Sequence, residues 1–183
     1  MNSVVEPHRW TLEEYEQMVR SGVFGPNQHV ELIEGEVIDM VPQNEPHAVA
    51  LSLIDNALRG IFTTGYVLRP QSPLALGASS QPEPDLAVVN GAPRDFIESH
   101  PQTAVLVVEI SDSSLNHDRT SKLGLYARHG IPHFWIVNLV DGVLETYGDP
   151  VSGGYQEKRV LRRGETVRVG PHQFALNVDE LLP

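Results

Sequence analysis

Apolar residues run unbroken or alternate through most of the chain and take helical spacing in two stretches, and these changes of period predict the order of elements. Thr11 with Glu14 three residues later forms a capping box, so a first helix starts there and runs to about Gly22. His29–Glu34 and Glu36–Val41 flank Gly35 as two strands of a tight hairpin. Helical spacing over Ala48–Leu58 predicts a second helix, ended between Gly60 and Gly65. Strands follow at Tyr66–Gln71, Asp85–Val89 and Val105–Ser111, with a Pro-, Ser- and Gly-rich loop from Ser72 to Pro82 that is expected to border any site. Leu123, Tyr126 and Ala127 predict a helix between Asp118 and Gly130; Pro132 opens a strand through Phe134–Asn138, and Val143–Tyr147 with Tyr155–Leu161 closes as a hairpin. This order predicts an α/β (α+β) fold, a mixed β-sheet core flanked by helices, with N-terminal and C-terminal hairpins. No repeat or low-complexity stretch divides the 183 residues, so a single domain over 1–183 is expected.

Two of the strands contain an acid where an apolar residue is expected. Asp85 follows Pro84 and opens Leu86-Ala87-Val88-Val89, and Glu109 interrupts the run Val105-Leu106-Val107-Val108 before Ile110. Runs of this kind form strands buried on both faces, where a carboxylate needs a partner. Lys122 is one of only two lysines, and its compact ammonium can approach a phosphoryl oxygen at close range. Two carboxylates and a nearby lysine point to metal-dependent phosphodiester chemistry. Ordinary alternatives stand beside each. Asp85 can cap a turn, Glu109 can pair with Arg119 at the sheet's end, and Asp118 with Lys122 can form a surface ion pair four residues apart, contributing about 0.3–0.5 kcal/mol. Glu31 is the inward acid of the first hairpin, with Glu34 on the other face, unless both are solvated. His47, at the start of the second helix, can orient a phosphate, donate to a carboxylate, or serve only as a surface residue. His8, His29, His100, His117, His129, His133 and His172 form no pair at metal-ligand spacing.

Charge and composition narrow the partners. A formal net charge of -11 excludes a surface that binds nucleic acid everywhere, so any such contact is local. Lys158, Arg159, Arg162, Arg163 and Arg168 offer one basic patch on the C-terminal hairpin, or equally the charged guard of an exposed edge strand. With no cysteine, a metal must be held by oxygen or imidazole. The N-terminus lacks the order of a signal peptide and no apolar run reaches spanning length, so a cytoplasmic protein without membrane contact is expected. The apolar run Phe134-Trp135-Ile136-Val137 suggests a homodimer or higher homo-oligomer.

Taken in order, Glu31-Leu32-Ile33-Glu34-Gly35-Glu36-Val37, Glu45-Pro46-His47, Pro84-Asp85-Leu86, Val107-Val108-Glu109-Ile110-Ser111, Asp118-Arg119 with Lys122-Leu123-Gly124-Leu125-Tyr126-Ala127, and Gly130-Ile131-Pro132-His133-Phe134-Trp135 resemble the Uma2 family over about residues 10 to 160. That family is a domain of unknown function within the PD-(D/E)XK, restriction-endonuclease-like superfamily. The resemblance implies that Asp85, Glu109 and the carbonyl of Ile110 hold Mg²⁺ or Mn²⁺ against a scissile phosphate, and that nucleic acid, DNA before RNA, is the substrate. In the wider superfamily a lysine stands two residues after the Glu; here that position is Ser111, and the Uma2-like pattern transfers the role to Lys122 on the following helix. A nuclease and a catalytically idle nucleic-acid- or protein-binding module that keeps the fold are both open at this point, as is hydrolysis of a small phosphorylated molecule.

Overall fold

The computed structural model describes residues 6–183. Its centre is a mixed six-stranded sheet in the order β3 (Tyr66–Pro70), β4 (Leu86–Asn90), β5 (Leu106–Ser111), β6 (His133–Asn138), β7 (Val143–Val151) and β8 (Gly154–Leu161). Only β5 and β6 run parallel; every other neighbouring pair is antiparallel. The unbroken apolar runs of β4, β5 and β6 are explained by burial on both faces. Leu86, Val88, Leu106, Val108, Trp135 and Val137 face helix α2 (Glu45–Ile61), while Ala87, Val89, Val107, Phe134 and Ile136 face the opposite layer. Each such aliphatic side chain contributes about 1.5–3 kcal/mol by leaving water.

Helix α1 (Leu12–Arg20) begins at the Thr11–Glu14 capping box as its sequence predicts. Helix α2 starts three residues earlier than its apolar spacing suggests, because Asn44 caps it by accepting from the His47 N–H and Pro46 fits the first turn. The hairpin of β1 (Val30–Ile33) and β2 (Glu36–Asp39) turns through Glu34 and Gly35, both at positive φ. A Cβ on Gly35 would lie 2.9 Å from Arg9 Cβ, so the arm before α1 can hydrogen-bond this turn only over a glycine.

Several expectations are corrected. The Ser72–Pro82 loop does not line the main cavity; it folds Leu74 and Leu76 into the core. Phe134-Trp135-Ile136-Val137 is interior to this chain and offers no face to a second copy. The helix expected from Asp118 to Gly130 is three pieces: α3 (Leu115–His117), a π-helical turn over Asp118–Lys122, and α4 (Leu123–Arg128). A further hairpin, β9 (Thr166–Val169) with β10 (Phe174–Asn177), follows the last element read from sequence and packs Val167, Val169 and Leu176 onto the α2 face. The basic residues do not form one patch. Lys158, opposite Tyr147, and its neighbour Arg159, opposite Thr146, point to different faces of β8, and Lys158 pairs with Glu145 while Arg163 pairs with Asp179.

Candidate active site

The site forms where β4 begins and β5 ends. Continuing the β4–β5 register, in which Leu86 faces Val108 and Ala87 faces Val107, sets Asp85 opposite Glu109. By strand alternation both acids share the face of Ala87 and Val107, turned toward α4 and the β1–β2 hairpin. Asp85 is fixed twice: its Oδ2 accepts from the Ile110 N–H at 2.8 Å, and its Oδ1 lies 2.8 Å from His47 Nε2. His47 reaches it from the first turn of α2.

Glu109 is 3% exposed and Lys122 5%. Lys122 Nζ lies 3.1 Å from Glu109 Oε1 and 3.3 Å from Oε1 of Glu31, itself 4% exposed. The same Glu109 oxygen accepts from Tyr126 on α4, and Glu31 Oε2 accepts from the Glu83 N–H. Burial pushes the Glu109 carboxyl well above the usual range, with Lys122 pulling it back. Burial alone would depress the Lys122 ammonium; Glu109 and then Glu31 outweigh it and hold the group above its ordinary value.

The π turn aims this lysine. Ser111, fully buried at the end of β5, donates to Asp118 Oδ2 at 2.7 Å, and Ser114 donates to the same oxygen at 2.6 Å. With Asp118 tied down, the wider turn carries Lys122 inward; the Asp118–Lys122 surface pair is replaced by these serine bonds and by the two glutamates. Arg119, on the same turn, does not pair with Glu109. It donates through Nε and Nη2 to Glu145 of β7, a fully buried acid that also accepts from Tyr147 and Asn138. Burial would raise Glu145, yet these donors, Arg119 first, lower it to about 2. The stability it contributes is present above the ordinary carboxylate range and lost as pH falls toward 2. Arg119→Met is therefore expected to cost about 1–3 kcal/mol in urea unfolding at pH 7 and to bring acid unfolding to higher pH, both absent if the pair is a surface ornament.

A cavity of about 300 Å³ lies over this floor. Glu31, His47, Asp85, Glu109, Ile110 and Lys122, the residues singled out from sequence, all border it. Glu34 does not; it is exposed and pairs with Arg128. Glu83, His117 and Tyr126 were not read as site residues. His117 borders the cavity with a buried Nε2 that has no hydrogen-bond partner among the described residues, 4.0 Å from Glu31 Oε1. Glu83 carries a signal in its position between two prolines, two residues before Asp85; Tyr126 and His117 carry none, because their partners are distant in sequence.

Among the described residues no three His, Asp or Glu side chains gather into a ready-made cation cage. The candidate ligands at the floor are instead the carboxylates of Asp85 and Glu109; Ile110, whose N–H bonds Asp85, lines the same cavity. An all-oxygen set with room for water fits a hard divalent cation such as Mg²⁺, which keeps several waters and takes one or two carboxylates.

A family model described as "Uma2: Putative restriction endonuclease" matches residues 12–179. Among solved structures, a protein described as "a putative nuclease belonging to DUF820 from Anabaena variabilis ATCC 29413" has a TM-score of 0.72 to this chain, covering 94% of this chain and 97% of its own at 16% identity. That likeness establishes the fold, a mixed sheet flanked by helices as the sequence predicts. No curated protein matches the chain.

Proposed function

The chain belongs to the Uma2 family, and from that premise we propose that it is a divalent-metal-dependent nuclease hydrolysing phosphodiester bonds, with DNA preferred to RNA. The observation that carries this reading is the placement of Asp85 and Glu109 opposite one another on one face of the sheet, with the Lys122 ammonium beside them under one cavity.

In this reading Asp85, Glu109 and the Ile110 carbonyl hold Mg²⁺ or Mn²⁺, which when bound polarises a phosphoryl oxygen and makes water more acidic. His47 keeps Asp85 from rotating away, through its 2.8 Å contact. Lys122 stabilises the negative charge that grows on the phosphate as water adds, an interaction strengthened by its burial. Glu31 holds Lys122 in place when Glu109 turns to a cation. Among the described residues no helix is long and apolar enough to cross a membrane; a cytoplasmic setting and a single domain over 1–183 are parts of the same proposal, and a homodimer would have to use a surface other than the buried Phe134–Val137 run.

A second reading, an idle binding module on the same fold, is favoured by one observation: the Lys122 ammonium already bridges Glu31 and Glu109 and supplies a positive charge where the cation is expected. Cleavage of labelled single- and double-stranded DNA and RNA separates the two. The nuclease cleaves with Mn²⁺ or Mg²⁺ and stops with EDTA; Mn²⁺ bound without any cleavage supports the module, and no Mn²⁺ uptake at all refutes the proposed metal site.

A further inference from the structure

The depth and the rim of the cavity bear on what can enter it. Its floor groups, Glu31, Glu109 and Lys122, are almost wholly buried. One wall is the segment from β2 into α2, residues 38–44, and the other the segment after β5, residues 112–118. The two rims are joined: Asn44 Nδ2 donates to Asp112 Oδ2 at 2.8 Å, although both residues are exposed. A volume of about 300 Å³ is at the small end of ligand pockets, about 300–1,000 Å³, and gives room on the order of one nucleotide.

The charge on this surface points the same way. Seven of the lining residues are Asp or Glu and one is Lys, with no Arg among them. Duplex binding draws on many Lys and Arg contacts to phosphates along a stiff rod, and these walls offer none. A flexible strand needs only to put one phosphate at the floor. There one cation and the Lys122 ammonium supply positive charge, and the buried Nε2 of His117, without a hydrogen-bond partner among the described residues, is available to a phosphate oxygen in the tautomer that carries its proton there. A buried nitrogen left without a hydrogen-bond partner is destabilising, and a phosphate oxygen would relieve it.

We infer that the site receives a single unpaired polynucleotide strand, one nucleotide deep, and excludes duplex by its linked rims. This rests on the nuclease reading and names its substrate class. The strand enters only with the divalent cation, because the acidic lining repels a phosphate otherwise. His117 is the residue that meets the phosphate from the wall.

The test is fluorescence anisotropy of the full chain with a labelled twelve-nucleotide DNA strand, the same sequence as RNA, and a blunt duplex, each in Ca²⁺ so that binding is read without turnover, beside calorimetric titration of Ca²⁺ and Mn²⁺. Either single strand is expected to bind at least tenfold more tightly than the duplex, with EDTA removing the binding and His117→Ala weakening it several-fold without changing Mn²⁺ affinity. The DNA and RNA arms identify which strand is preferred. Asp112→Ala, which breaks the rim bridge, is expected to narrow the gap between strand and duplex; an unchanged gap overturns the role of the bridge. Cation uptake with duplex bound as tightly as single strand, or with no strand bound, overturns this inference alone. No cation uptake overturns the nuclease reading beneath it.

Discussion

Asp85→Asn and Glu109→Gln are each expected to abolish Mn²⁺ uptake and to lower cleavage by about 10³-fold or more. Both substitutions keep the shape of the side chain and remove the anionic oxygen, so their effect isolates ligation from packing. A bound divalent cation stabilises the charge of phosphoryl transfer by several kcal/mol, and each 1.36 kcal/mol is tenfold in rate. Stability without metal goes the other way for Glu109→Gln. Its carboxylate is buried beside Asp118, Asp85 and Glu31, all of which disfavour its charge, and Lys122 keeps Glu31 as a partner after the change. Urea unfolding of this variant is expected to be unchanged or later than that of the parent protein. Calorimetry with Mn²⁺ decides the assignment, and an unaltered affinity in both variants removes Asp85 and Glu109 from the metal site.

Lys122→Met is expected to separate binding from turnover and to expose the charge balance of the floor. Mn²⁺ affinity should hold or rise, because the cation replaces a lost ammonium, while cleavage falls by about 10²–10³-fold through loss of charge stabilisation in the transition state. The folded protein without metal should lose about 3–5 kcal/mol at pH 8, the cost of leaving buried carboxylates without their counter-ion. The sign of its pH dependence follows from Glu109. Its folded pKa lies above its unfolded one, so the protonated form favours folding at low pH and that advantage disappears as pH rises through the folded pKa. In the parent protein the raised Lys122 ammonium keeps its stabilising charge throughout this range. The stability gap between parent and variant should therefore widen from pH 5 to pH 8. A gap of the same size at both pH values, read from urea unfolding, refutes the buried ion-pair account.

Much of this arrangement was legible because it is local or strictly periodic. The Thr11–Glu14 cap, the Gly35 hairpin and the acid set within Val105–Ile110 each rest on neighbours a few residues away. The β4–β5 register then follows from alternation, which puts Asp85 and Glu109 on one face. What could not be read depends on partners far along the chain. Glu145 sits in Val143-Leu144-Glu145-Thr146-Tyr147, a pattern that suits a solvated strand as well as a buried one, and its main partner Arg119 is 26 residues away. The π turn has no local sequence signal; a regular helix over Asp118–Tyr126 is equally allowed by its residues, and the bonds that accompany the wider turn, Ser111 to Asp118, Arg119 to Glu145 and Lys122 to Glu31 and Glu109, mostly reach distant partners. The β9 and β10 strands are four residues each, too short for their alternation to stand out.

The single parallel pairing, β5 with β6, has a kinetic consequence. Parallel neighbours cannot be joined by a tight turn, so the chain must close the whole segment between Ser111 and His133 before this pair forms. That segment carries Lys122. Glu31 arrives from still farther away, on a hairpin outside the central sheet. The acids and the ammonium that balances them therefore meet only after the long-range closures that dominate the folding time of mixed sheets. Asp85 and Glu109 can be brought together by β4–β5 pairing alone, with the Ile110 N–H offsetting only the charge of Asp85. Docking of the crossover is thus the step that makes the centre of the sheet electrically tolerable, and chains truncated before Lys122 lack the means to reach it.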